Sequence, residues 1–173
     1  NGCHPDKTPQ WADRWVRQWR VRDYQAPILH RAGLIEAARR RDWNRLPEML
    51  ATVAGKDRDE IFATSLIRLL RAAADERMAP VLLAAMSDPS PLIRSSAAES
   101  LGMMPTAAAV QALVAATGDE YRLVRIRAAQ SLAGIQRIRP GPPHDAKLKK
   151  ATEEYLASMM ARPDQWTSHY NIG

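Results

Sequence analysis

Residues 88–101, Asp-Pro-Ser-Pro-Leu-Ile-Arg-Ser-Ser-Ala-Ala-Glu-Ser-Leu, lie over residues 119–132, Asp-Glu-Tyr-Arg-Leu-Val-Arg-Ile-Arg-Ala-Ala-Gln-Ser-Leu, at an interval of 31. The same interval backwards gives a weaker copy over 57–70, where Ile61, Phe62, Leu66, Ile67 and Leu70 stand in register with Leu92, Ile93, Ala97, Ala98 and Leu101. A fixed period of this size marks a solenoid, in which each unit buries its apolar face only against its neighbours. The period therefore predicts that Leu92, Ile93, Ala97 and Leu101, with their partners Leu123, Val124, Ala128 and Leu132, lie between helices.

Aromatic residues make up 6% of the chain and Phe62 is its one phenylalanine, so the core must be built from Ala, Leu, Ile, Val and Met. Alanine is the best helix former and lets helices approach closely. No run approaches the ~18 apolar residues of a membrane span, so membrane insertion is not expected. No export signal is legible at the opening Asn-Gly-Cys-His-Pro. The net charge of +6 is uneven: residues 1–45 hold ten Lys/Arg against five Asp/Glu, and the remainder fifteen against fourteen. That bias makes an anionic partner of the N-terminal quarter an open alternative to a solvated helix face.

Thr8-Pro9 reads as an N-cap followed by a first-turn proline, opening a helix down to about Arg22. Trp11, Trp15 and Trp19 recur along it at i, i+4 and i+8. A second helix follows Ala26-Pro27, and a third runs from the Asp42 cap to Gly55. The repeat units then read as helix pairs, 59–73 with 76–86 and 91–101 with 106–116, followed by 120–135. A proline-rich turn at 139–143, a helix over 145–161 and the start of another at 166–173 complete the chain. The expected architecture is all-α, a right-handed superhelix of antiparallel helix pairs. It divides into a segment 1–25, a repeat array 26–138 and a C-terminal segment 139–173.

The repeats resemble short HEAT-like repeats over about 57–135. The residues that carry the resemblance are Asp88 with Arg94 and Asp119 with Arg125, an aspartate in each inter-unit turn and an arginine six positions later. The resemblance implies that these pairs tie successive turns into a ladder. The 57–70 copy has Ala63 in place of the arginine, so the ladder is expected to stop there.

Both ends carry a second resemblance. Asn1-Gly2-Cys3-His4 matches the last four residues of a C-x-x-C-H haem-attachment motif. In such motifs two thiols form thioethers to the haem vinyl groups and the histidine is an axial iron ligand. The run Asn-Gly-Cys-His-Pro-Asp-Lys-Thr-Pro-Gln-Trp-Ala resembles a segment of multihaem c-type cytochromes that carry tetratricopeptide repeats. Glu153-Glu154-Tyr155, Arg162-Pro163-Asp164 and the closing His169-Tyr170-Asn171-Ile172-Gly173 resemble a join into a first tetratricopeptide helix. The resemblance implies a HEAT-like module of an extracytoplasmic or periplasmic electron-transfer protein. Its partners would include the haem domain and the tetratricopeptide region of the same parent. Cys3 and His4 carry over as haem residues of that parent only: the first cysteine is missing, so no cofactor is expected on this chain.

Other chemistry is poorly provided for. One cysteine and four scattered histidines offer no tetrahedral zinc cluster, and no glycine-rich phosphate loop occurs. The acidic pairs Asp59-Glu60, Asp119-Glu120 and Glu153-Glu154 are adjacent on helices and point apart. No nucleophile–base pair is evident, and the segment is not expected to be an enzyme. The tryptophan face, with Arg14 and Arg17 beside it, admits three readings: a cap on the open end of the solenoid, a surface for a protein partner, or a base-stacking platform. The last resembles HEAT-like alkylpurine DNA glycosylases and is the alternative function, but the basic residues do not continue through the repeats, so nucleic acid is not the expected partner. HEAT-like bilin lyases share the short repeat without a residue signature here.

Overall fold

The computed structural model describes residues 4–20, 25–56, 58–135, 142–162 and 164–172, and among these every regular element is helical. Ten α-helices follow in order: α1 Pro9–Trp19, α2 Ala26–Arg39, α3 Leu46–Ala54, α4 Glu60–Leu70, α5 Met78–Ala85, α6 Pro91–Leu101, α7 Ala107–Ala116, α8 Arg122–Ala133, α9 Pro142–Met160 and α10 Trp166–Ile172. Single 3-10 turns at Trp43–Arg45 and Arg71–Ala73 lead into α3 and extend α4. None of these helices is long and apolar enough to cross a membrane.

Local chemistry explains the helix starts. Thr8, Asp59 and Thr106 each accept a backbone N–H from three residues ahead, satisfying donors that a first turn leaves unpaired. Prolines open α1, α2, α3 and α6 where no N–H is needed. Gly55 follows α3 in an extended conformation, without the left-handed turn that glycine often supplies.

The helices form two rows. In the first, α2, α4, α6, α8 and α9 pack side by side in that order; in the second, α3, α5 and α7 follow beneath, less closely joined. One core runs the length of the stack, through Leu34, Leu46, Met49, Leu66, Ile67, Leu70, Met78, Ile93, Leu101, Leu113 and Val124. The arrangement is an all-α solenoid. The C-terminal segment, set apart in the sequence by its proline-rich turn (of which 139–141 lie outside the described residues), places α9 against α8 as a further layer.

Burial follows the period with one correction. Ile93, Ala97, Leu101, Val124, Ala128 and Leu132 are buried as predicted, whereas Leu92 is half-buried and Leu123 is 41% exposed. Their counterpart Ile61 is 60% exposed. Neighbouring residues on a helix diverge by about 100°, so at the edge of the buried face one member of an adjacent pair points inward and the other falls outside it. Ile93 and Val124 take that direction, leaving the residue before them on the open side of the row.

Candidate interaction surface

The inter-unit turns are built from a two-sided aspartate and a three-sided arginine. One carboxylate oxygen of Asp88 accepts the Ser90 N–H at 2.9 Å, and one of Asp119 accepts the Tyr121 N–H at 2.8 Å, closing the turn before α6 and before α8. The carboxylate also faces an arginine of the preceding unit. Arg94 donates Nε and Nη2 to Asp119 at 2.8 and 2.9 Å, while its Nη1 donates to the backbone carbonyls of Asp88 and Pro89 at 2.7 and 3.1 Å. Arg125 repeats the pattern: Nη1 to the carbonyls of Asp119 and Glu120, Nε and Nη2 to the Glu154 carboxylate at 2.8 and 2.6 Å. An arginine six residues after the aspartate sits one turn into the helix, where it reaches back to the turn and forward to the next acid.

The expected ladder is present with its connectivity corrected. Asp88–Arg94 and Asp119–Arg125 meet through the aspartate's backbone carbonyl, and the carboxylate–guanidinium pairs run from each arginine to the following unit. Nor does the ladder stop where Ala63 replaces the arginine: Arg58, in the turn before α4, bonds the Gly55 carbonyl and the Asp88 carboxylate instead. At the other end Glu154 of α9 takes the place of the aspartate. Sequence reasoning missed both residues, since Arg58 stands outside the repeated position and Glu154 falls 35 residues after Asp119.

These pairs are sheltered. The side chains of Arg94 and Asp119 are 9% and 13% exposed, and the guanidinium lies 5.4 Å from the Tyr121 ring centroid. Burial pushes the Asp119 carboxyl upward, but the bonds from Arg94 and the Tyr121 N–H outweigh it and hold the group below the ordinary carboxylate range. The bond from Arg125 lowers Glu154 likewise, against the opposing effect of burial.

Along the side of the first row where Ile61 and Leu123 are exposed, positions related by the period line up in three tracks, of which Ser96 alone is buried. Ile61, Leu92 and Leu123 form an aliphatic track, Ser65, Ser96 and Arg127 a middle one, and Arg68, Glu99 and Gln130 the third. Glu99 is shared by Arg71 at 2.8 Å and Arg127 at 3.8 Å, and Arg127 also donates to Gln130 at 2.9 Å.

The tryptophan helix does not cap the solenoid. No residue of α1 is buried; Trp15 is 38% and Trp19 73% exposed, with Trp11 partly covered. The indoles pack on each other, Trp11–Trp15 centroids at 6.4 Å and Trp15–Trp19 at 6.1 Å. Arg17, expected as a partner-binding cation, donates to Asp13 at 2.8 Å and to Gln25, which also donates to Asp13, so a polar clasp joins α1 to the start of α2. The Arg17 bond lowers the Asp13 carboxyl. Arg14 is exposed.

His4 is exposed, its ring tilted against Trp11 at 5.1 Å; Cys3 lies outside the described residues. The described residues contain no group of three or more His, Cys, Asp or Glu placed to hold a metal ion. An open cavity of 810 Å³ between α2, α3 and α4 is lined by His30, Arg31, Lys56, Arg58 and Asp59 among others. Several of its polar groups are already engaged: Arg31 with Asp59 at 3.5 Å, His30 with Glu48 at 3.5 Å, and Arg58 with Asp88. The family model described as HEAT repeats matches residues 47–133, from the first residues of α3 to the end of α8. No curated protein matches the chain.

Proposed function

The chain belongs to the HEAT-repeat family, a helical repeat scaffold for protein interaction, and on that premise we propose that it acts as a non-catalytic scaffold within a multihaem c-type cytochrome of the extracytoplasmic space. The observation that carries the scaffold reading is the in-register row Ile61, Leu92 and Leu123, exposed or half-exposed along α4, α6 and α8, on a fold whose most sheltered ion pairs hold turns together. Repeat proteins present such extended faces because each unit adds one more copy of the same exposed positions. What supports the cytochrome setting is the sequence Asn1 to Ala12, with Cys3-His4 in the places of a haem motif's second thiol and axial histidine.

The test is spectroscopic. The full-length protein, isolated from its own host with export intact, is expected to show c-type haem absorbance. A His4→Ala substitution should alter the coordination of one haem without unfolding the helical repeats. Absence of covalent haem in that protein, or a residue other than cysteine encoded immediately before Asn1, would remove the cytochrome setting. Turnover of a substrate by the isolated chain would remove the non-catalytic one.

A further inference from the structure

We propose that the open face of α4, α6 and α8 seats an acidic amphipathic helix of a partner protein, lying across the three helices. The inference rests on the scaffold reading and gives that scaffold a ligand chemistry. A single exposed aliphatic side chain is unremarkable on a protein surface. Here Ile61, Leu92 and Leu123 recur once per unit at the same helical position, 60% exposed at Ile61 and 41% at Leu123. Seven residues further along the same helices run Arg68 and Glu99, with Arg71 and Arg127 on either side of that glutamate. Three guanidinium groups against one carboxylate leave this track positive. Between the two tracks stand Ser65 and the buried Ser96, too short to obstruct an approaching helix, and on α8 Arg127, whose guanidinium is turned onto the basic track toward Glu99 and Gln130.

The dimensions select the occupant. Seven helical residues span about 10 Å, close to the diameter of one α-helix, so one helix fills the space between the aliphatic and the basic track. Packed helices lie about 8–10 Å apart, which a partner helix rising about 1.5 Å per residue covers in roughly five to seven residues, and a step of about seven, two turns, keeps the same face on the row. An apolar residue at every seventh position would therefore meet Ile61, Leu92 and Leu123 in turn, and glutamates on its flank would face Arg68, Arg71 and Arg127. Charge argues against a second copy: the chain is +6 overall, and its exposed amphipathic helix α1 carries Arg14 and Arg17, with Arg20 directly after it. Duplex DNA would satisfy the arginines but leave the aliphatic track uncovered.

The probe is a synthetic helical peptide of about 21 residues with leucine at every seventh position and glutamate on one flank, titrated against the chain by fluorescence anisotropy. The expected result is saturable binding that weakens as salt rises and is absent for the same peptide with lysine in place of glutamate. Arg68→Glu with Arg127→Glu should reduce affinity by about tenfold or more, and Ile61→Ser with Leu123→Ser should do so independently, both with unchanged helical circular dichroism. No binding of the acidic peptide, equal binding of the basic one, binding indifferent to both variant pairs, or tighter binding of a DNA duplex would each overturn the assignment. The scaffold reading has a separate readout: a native partner released by Trp15→Ala with Trp19→Ala, but not by the face variants, would refute this face and leave the scaffold standing.

Discussion

α1 is the most conspicuously amphipathic helix of the chain and buries nothing, whereas α6 is rich in serine and buries Ile93, Arg94, Ser95, Ser96, Ala97, Ala98, Ser100 and Leu101. The segregation of apolar from polar residues would alone rank them the other way. What separates them is neighbours in register. α6 has α4 on one side, α8 on the other and α5 and α7 beneath, so short side chains are required for all four to fit. Ser95 meets the cost of burial by donating to the Leu92 carbonyl of its own helix, and Ser131 of α8 donates to Ala98 across the crossing. α1 lies outside the period, and its indoles turn to one another. In a solenoid, position in the stack decides burial, and composition adjusts to it.

That contrast is broken most severely by emptying the middle of the stack. Leu101 is fully buried, and Leu101→Ala should destabilise the fold by about 2–5 kcal/mol. Urea unfolding is expected to show a lower midpoint at an unchanged slope. A loss under about 1 kcal/mol would mean that the units are loosely coupled and collapse around the cavity.

The ladder comes next. Arg94→Ala strands the Asp119 carboxylate, 13% exposed, without its fork, and should cost on the order of 3 kcal/mol. A double-mutant cycle with Asp119→Asn should recover part of that loss, because the uncompensated charge is then gone. Acid offers the same test without mutation. Asp119 and Glu154 titrate lower in the folded chain than in the unfolded one, so their contribution is fully present above about pH 4–5 and is lost as pH falls through their depressed folded values. Unfolding followed from pH 6 down to pH 2 should show this decline, and Arg94→Ala should flatten it. An equally steep decline in the variant would assign acid sensitivity elsewhere.

A smaller effect probes the closeness of the crossing between α6 and α8. A Cβ added at Gly102 would stand 2.7 Å from Ser131 Cβ and Oγ and 3.1 Å from its Cα. Part of that obstacle is backbone, so Gly102→Ala should cost about 1–3 kcal/mol despite alanine's better helix propensity. Pairing it with Ser131→Gly should restore stability if the contact is the cause.

The period, the helix pairs and most of the core could be read from residues 57–135 because a repeated environment writes itself repeatedly into the chain. Two things could not. Period alone gives register without direction, and so could not choose between Leu92 and Ile93, or Leu123 and Val124, as the inward member. Spacing also fails where geometry is met from a different backbone position, as when Arg58 serves from the turn in place of the missing arginine at Ala63. Glu154 is the same case, since the proline-rich connection shifts it out of register with Asp119 while α9 still lies against α8. The tryptophan face was legible as a helical stripe, but a stripe says only that something apolar can cover it. Tethering α1 by the Asp13–Arg17–Gln25 clasp leaves that face outward.

The smallest expected effect therefore falls on the largest side chain. Trp19 is 73% exposed and its described ring contact is with Trp15, itself partly in solvent. Burying a tryptophan in the end of the stack would make its removal cost about 3–5 kcal/mol, whereas an uncovered one should change stability by no more than about 0.5 kcal/mol. Trp19→Ala measured by thermal or urea unfolding of the isolated chain separates the two. The comparison with Trp43, which packs against the core beside α2 and α3, supplies the internal standard: Trp43→Ala should lose at least about 2 kcal/mol in the same assay. If Trp19→Ala proved as damaging as Trp43→Ala, α1 would have to fold back over the end of the solenoid in solution. The contrast between α1 and α6 would then be one of degree. If it proves silent, the indole is free surface, and any loss it causes in binding a partner is a loss of contact and not of fold.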